Sequence, residues 1–441
     1  MNGVLNWVED KLMGPLGKMA QNIYLQSIRD AFVIFALPVI LTGALFLIIA
    51  NPPTTVNWGI IHAWENGIKP IQAQIMFPFN LTFGIMAVTV AFGVGYSLGE
   101  RRGLDSVMSG ILSMLAFFMT AFPVTDISKV PFGQILNYLG GQGLFVAIIL
   151  GILTTEFMSF LISKGFAFEM PAGVPPYVMR VFRALVPFML TLPIVWALEW
   201  IVWANFHITI PQAVLDLFSP LVSASNSYPA ALGMIFLMLL LWSMGIHGMN
   251  VVSSVAYPFW MSQLAANTNA VAAGHVAHGI VTEPFFHMFA HIGGSGATFG
   301  LALFMLFSKS QQIKQVGKTA IVPTLFNINE PILFGLPIVL NPIMFIPFII
   351  GPIIIVTINY ILFATHLLPP VIIQPPFTVP IFLGGFIATG GHFFAGLMQV
   401  IDAAIAAVIY WPFFKKYEAT LVEQEKKGAE QTASDTNSVT L

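Results

Sequence analysis

Residues 327–343 read NINEPILFGLPIVLNPI, an apolar run that holds one ionisable carboxylate, Glu330, between Asn329 and Pro331. Proline removes a backbone donor and biases its predecessor away from helix. The run is therefore too broken for one straight helix, and the backbone is expected to break beside the carboxylate. An ionised carboxylate at the centre of a membrane helix costs roughly 2.5 to 3.5 kcal/mol on insertion scales, so Glu330 should face a cavity or carry a proton. Its two oxygens can accept hydrogen bonds from neighbouring hydroxyls, and Asn329 adds a donor and an acceptor, a pairing that suits a sugar. The structural alternative is a carboxylate that caps broken backbone.

A membrane is the right solvent to assume. Of 441 residues, 57% are hydrophobic and 8% charged, with a mean hydropathy of +0.85, whereas soluble chains carry about 25% charged residues. Apolar runs near the ~20 residues needed to cross a bilayer recur at 31–50, 79–98, 104–123, 143–163, 181–203, 230–247, 251–266, 292–307, 343–363 and 381–411. The expected fold is an all-α polytopic membrane protein of about ten transmembrane helices. The first apolar run begins only near 31, which makes 1–30 a poor signal peptide. Val4, Leu5, Val8, Leu12 and Leu16 fall near helical spacing and suggest an amphipathic helix in the interface.

Charge placement sets the topology. With a cytoplasmic N-terminus, the inner segments 1–30, 99–103, 164–183, 308–319 and 412–441 hold 15 of the 17 Lys and Arg, leaving Lys69 and Lys129 outside, as the positive-inside rule requires. The count closes only if two apolar segments enter and leave on the same side. They lie near 278–291, dipping from outside, and 320–342, dipping from inside; each carries a Glu-Pro pair, Glu283-Pro284 and Glu330-Pro331. Broken backbone at membrane depth survives only where protein or a water-filled cavity satisfies it, so two opposed re-entrant hairpins point to a central binding site. Residues 1–205 are expected to form an N-terminal domain, 206–229 an amphipathic linker, 230–417 a substrate-binding domain and 418–441 a disordered cytoplasmic tail.

His247, in WSMGIHGMN, sits near glycines that leave room for a ligand to approach the backbone; its imidazole can donate to a hydroxyl or exchange a proton. His275, His278, His287 and His291 accompany Glu283 in HVAHGIVTEPFFHMFAH, but no HExxH spacing appears and the TEPFF break separates their faces, so no metal site is expected. His278 and Glu283 are instead candidates for substrate hydrogen bonding. Gln74, Asn80, Trp242, Phe382 and His392 are weaker candidates, amides for hydroxyls and aromatic faces for a sugar ring. Glu156, Glu199 and Asp402 are intramembrane acids that bonds to neighbouring helices would explain as well as a transport path. No basic patch for nucleic acid, no phosphate-binding loop and no dinucleotide fingerprint appears. With no cysteine in the sequence, disulfides and thiolate chemistry within the chain are excluded.

At WSMGIHG, TEPFF and NINEPILFGLPIVLNP the sequence resembles the membrane (IIC) component of the lactose/cellobiose family of the bacterial phosphoenolpyruvate-dependent sugar phosphotransferase system. The forms handling cellobiose or N,N'-diacetylchitobiose are the nearest likeness, over essentially 1–417. The resemblance implies a homodimer joined through N-terminal helices, and a C-terminal half that holds a disaccharide and moves as a rigid body. It implies that Glu330, Asn329 and His247 contact the sugar, Glu330 and His247 near the hydroxyl to be phosphorylated. The phosphoryl group would come from a cysteine of a separate cytoplasmic IIB protein, itself supplied by a IIA protein; no cofactor is implied. A cation-coupled symporter using Glu330 and His247 as proton carriers is the competing expectation.

Overall fold

The computed structural model describes residues 18, 21–50, 52, 59–122, 132–168, 174–336, 338 and 341–439. The amphipathic stretch from Val4 to Leu16 and the loop lysine Lys129 lie outside the described residues. The chain divides into two compact units, Met1–Ser225 with Asn250–Ala270, and Asn226–Met249 with Val271–Leu441. The segment 250–270 therefore belongs with the N-terminal residues rather than with its sequence neighbours.

The helices of the first unit are α1 (Ile23–Asp30), α2 (Leu37–Ala50), α3 (Gly59–Ile68), α4 (Gln72–Asn80), α5 (Met86–Arg101), α6 (Ser106–Ala121), α7 (Phe132–Leu139), α8 (Leu144–Ser163), α9 (Pro176–Phe206) and α10 (Ile210–Ser225). Small residues bring α5, α6 and α8 together, the usual device where lipid supplies no hydrophobic drive. A Cβ on Gly95 would lie 2.2 Å from Ser113 Oγ, and Ser113 Oγ lies 2.8 Å from Thr154 Oγ1. At one end of these helices Arg101 pairs with Asp30 at 2.5 Å and Arg102 with Glu156 at 2.7 Å. Glu199 is buried in α9 and accepts the Ile210 amide at 2.9 Å. Two of the intramembrane acids thus already have partners. On the linker helix α10, Phe218 stacks on Phe145 with ring centroids 4.6 Å apart, while Leu217 and Leu221 stay exposed.

The remaining helices are α11 (Tyr228–Ser243), α12 (Gly248–Ala272), α13 (Glu283–Phe289), α14 (Phe299–Leu306), α15 (Gln311–Leu325), α16 (Glu330–Gly335), α17 (Pro342–Ala364), α18 (Leu383–Ala388) and α19 (Phe393–Val439). In the second unit Asp402, fully buried on α19, accepts from Asn359 Nδ2 of α17 at 2.8 Å.

The chain is an all-α polytopic membrane protein. Among the described residues, six helical stretches are long and apolar enough to cross a bilayer: Ile23–Leu47, His62–Arg101, Gly141–Ser163, Val178–Phe206, Ile343–Ala364 and Phe393–Lys427. Counting α10 and α11 as one broken span gives seven, fewer than the ten helices expected from hydropathy. The stretch 292–307 shows why. Its sequence is apolar, but IGGSGAT leaves the helix, and only the eight residues of α14 remain, about 12 Å at 1.5 Å per residue. The expected 381–411 span breaks between α18 and α19 at Gly390 and Gly391, both with positive φ (71° and 94°).

From 418 onward α19 continues as helix to Val439. Its carboxylates find donors at the start of α15. Glu418, 4% exposed, accepts from Ser308 Oγ and the Lys309 amide, each at 2.7 Å. Glu425 accepts from Ser310 Oγ (2.7 Å) and from the Gln312 and Gln311 amides (3.1 and 3.2 Å). Helix N-termini leave amides without intrahelical partners and favour negative charge, so these carboxylates cap α15 from more than a hundred residues away.

Candidate functional site

Both Glu-Pro pairs open short helices. Glu330 is the first residue of α16 and Glu283 of α13, each with proline in the first turn, where a missing amide costs nothing. Each turn is then fixed by different neighbours.

Ahead of Glu330, Asn327 adopts φ 61°, a left-handed conformation that asparagine tolerates better than most side chains. Its Oδ1 accepts the Gly293 amide at 2.9 Å, and its Nδ2 donates to the Phe377 and Val379 carbonyls at 2.9 and 3.2 Å. Asn329 is buried and donates to the Ser295 carbonyl (2.6 Å) and Thr298 Oγ1 (2.8 Å). Glycine is required opposite it: Gly294 has φ 95°, and a Cβ there would lie 2.4 Å from Asn329 Cγ. The Asn329 donor, expected on a sugar, is thus engaged with the 293–298 loop. Glu330 itself is exposed and makes no hydrogen bond or ion pair among the described residues.

Glu283 is the opposite case. It is 4% exposed, accepts from Gln374 Nε2 and lies 2.6 Å from His287 Nδ1. His287 in turn sits 6.0 Å from the Phe377 ring and 6.3 Å from the His291 ring. His291 is buried, with neither ring nitrogen hydrogen-bonded among the described residues. The non-helical segment 371–379 joins the two turns: Gln374 reaches Glu283, while the Phe377 and Val379 carbonyls receive Asn327. Its own Ile372 and Ile373 amides are taken by the Ala388 carbonyl at 2.9 and 3.1 Å.

The other candidates are distributed. Trp242 is buried, and its ring lies 4.3 Å from His247, which is exposed. The space expected from glycine beside His247 is used by the chain itself, since a Cβ on Gly248 would lie 1.9 Å from the Met238 carbonyl. His278 is exposed; its carbonyl accepts from Asn226 Nδ2 at 3.2 Å, and Asn226 Oδ1 accepts the Ile280 and Val281 amides at 2.7 and 2.9 Å. Phe382 has φ 81° and packs on Phe386 and Phe393, centroids 6.2 and 5.4 Å away. Gln74 and Asn80 lie on α4 of the first unit, Gln74 exposed and Asn80 half-buried. Among the described residues no three His, Asp or Glu side chains gather as metal ligands. Asn226, Asn327 and Gln374 were not anticipated; the first N of NINEP was the readable signal, an asparagine directly before a broken helix.

Residues 29–352 match the family Phosphotransferase system, EIIC, and the chain belongs to it. It is 37% identical over 436 residues to the Lichenan permease IIC component of Bacillus subtilis (strain 168), spanning 96% of both chains. It is 37% identical over 454 residues to the PTS system cellobiose-specific EIIC component of Geobacillus stearothermophilus, spanning 99% of this chain and 98% of that one. The crystal structure of the transporter ChbC, the IIC component from the N,N'-diacetylchitobiose-specific phosphotransferase system, superposes with a TM-score of 0.88 at 34% identity, covering 95% of this chain and 99% of that one.

Proposed function

We propose that this EIIC chain takes up a β-linked disaccharide, N,N'-diacetylchitobiose or cellobiose, and presents its C6 hydroxyl for phosphorylation. The observation that carries the reading is Glu330: an exposed carboxylate without a hydrogen-bond or ion-pair partner among the described residues, at the head of α16, on a turn that Asn327 and Asn329 brace. An exposed acceptor on a braced turn is free to bind a hydroxyl. His247, Trp242, His278, Glu283, Phe382, Gln74, Asn80 and Asn329 complete the proposed binding set, with Glu283 and Asn329 acting through the groups they already hold.

In this mechanism the sugar enters from outside and is carried inward by displacement of the C-terminal half. The O6 oxygen then attacks the phosphoryl group on the cysteine of a docked IIB protein. The S–P bond breaks, the O–P bond forms, and the hydroxyl proton passes to Glu330 as general base, with His247 alongside. Positioning and charge stabilisation supply most of the remaining acceleration. The donor is recharged by a IIA protein.

The same reading has the chain crossing the bacterial plasma membrane about ten times, some crossings built from broken elements, with both termini cytoplasmic. The segments near 278–291 and 320–342 dip from opposite sides. Residues 1–205 pair with a second copy, 206–229 lie along the surface and 230–417 hold the sugar.

Equilibrium binding of labelled diacetylchitobiose to purified protein, with cellobiose and lactose as competitors, tests the assignment. Competition by diacetylchitobiose alone assigns an acetyl-reading site, and comparable competition by cellobiose a broader β-disaccharide carrier. Failure of all three to bind overturns the substrate reading.

A further inference from the structure

The first unit holds a second polar feature, remote in sequence from the Glu-Pro turns. Where α6 starts and α9 begins, a cavity of about 360 Å³ is lined by Arg180 and Arg183, by Ser106 at the head of α6, and by Met158, Ile162 and Ala184. Its floor is apolar. Met158 and Ala184 belong, with Leu112, to the buried cluster that joins α6, α8 and α9, and Phe188 and Leu192 continue that surface along α9.

Its rim is cationic. Arg180 and Arg183, three residues apart on α9, lie on neighbouring positions of one helix face. Arg183 is exposed and has no hydrogen-bond or ion-pair partner among the described residues. The one carboxylate in the cavity, Asp105, stands 3.5 Å from Arg180 and spends its Oδ1 on the Met108 amide at 2.9 Å. Two guanidinium groups against one carboxylate leave a net positive charge, and the start of α6 adds the positive end of a helix dipole.

Position decides what such a cavity is for. The apolar span Val178–Phe206 begins two residues before Arg180, which puts both arginines where headgroups meet hydrocarbon. The neighbouring Val181, Phe182 and Leu185 are exposed, 51%, 37% and 40%, as lipid-facing side chains are. A free phosphate ion would use the rim and leave the apolar floor unused. We infer that this cavity binds an anionic phospholipid, its phosphate on Arg180 and Arg183 and an acyl chain along Phe188 and Leu192. The guanidinium fork matches phosphate oxygens, and basic pockets between membrane helices are suited to acidic headgroups.

The test is lipid retention by the purified full-length protein, read by native mass spectrometry and by the thermal midpoint, with phosphatidylglycerol, phosphatidylcholine and inorganic phosphate as separate additions. Phosphatidylglycerol should be retained and raise the midpoint, and R180Q/R183Q should weaken its binding about ten-fold or more. R183Q alone removes no hydrogen bond or ion pair among the described residues, so it should fold normally and still bind more weakly; R180K/R183K should recover part of the affinity. Equal retention of phosphatidylcholine, full stabilisation by inorganic phosphate, or unchanged retention by R180Q/R183Q would each overturn the inference.

Discussion

The two Glu-Pro turns are built alike and finished differently. Each carboxylate opens a short helix, yet Glu283 is buried against Gln374 and His287 whereas Glu330 is exposed and, among the described residues, unpaired. A buried carboxylate is tolerable only when its hydrogen bonds are made, so Glu283 is held in place by the protein. Glu330 has no such commitment among the described residues, and its supporting bonds are made by Asn327 and Asn329, three positions and one position earlier. Rigidity and availability are thus assigned to different residues of one short motif.

The contrast fails at once if Glu330→Gln behaves like a structural lesion. Its expected outcome is a loss of about 100-fold or more in sugar phosphorylation, with appreciable sugar binding retained and the thermal midpoint unchanged. Equal loss of binding and phosphorylation would remove the general-base role and leave a ligand. Next in size, Glu283→Ala should lower stability by about 2–4 kcal/mol, because it strands Gln374 and His287 in a buried site; unfolding in detergent measures it, and an unchanged midpoint would erase the distinction between the turns. Asn327→Ala should cost about 1–3 kcal/mol from lost hydrogen bonds and left-handed strain. Asn327→Gly keeps the backbone conformation, so the gap between the two variants isolates the strain. The smallest effect is expected of Glu425→Gln: faster amide exchange at Gln311 and Gln312, seen by hydrogen exchange, with sugar binding unaltered.

The break beside each carboxylate was legible because proline acts on its own neighbours and needs no tertiary information. The membrane class followed from composition for a similar reason. Hydropathy marks 292–307 as one apolar run because it registers the side chains and not the positive-φ backbone of Gly293, Gly294 and Gly296. The 371–379 segment went unread because nothing local holds it: its polar partners Asn327 and Glu283 lie about 50 and 90 residues away. Among candidate residues, Glu330 was distinguished by being charged in an apolar run, while the bracing role of Asn327 became visible only once its three partners were placed.

The cap on α15 also bears on how the protein is made. Ser308 and Ser310 meet Glu418 and Glu425, 110 and 115 residues further along the chain, and synthesis proceeds from the N-terminus. The first turn of α15 therefore leaves the ribosome well before its caps exist, as does Asn327 before Phe377. The first turn of α15 is thus completed only when α19 is in place, and a chain terminated before 418 would lose the caps from a leg that leads directly into NINEP.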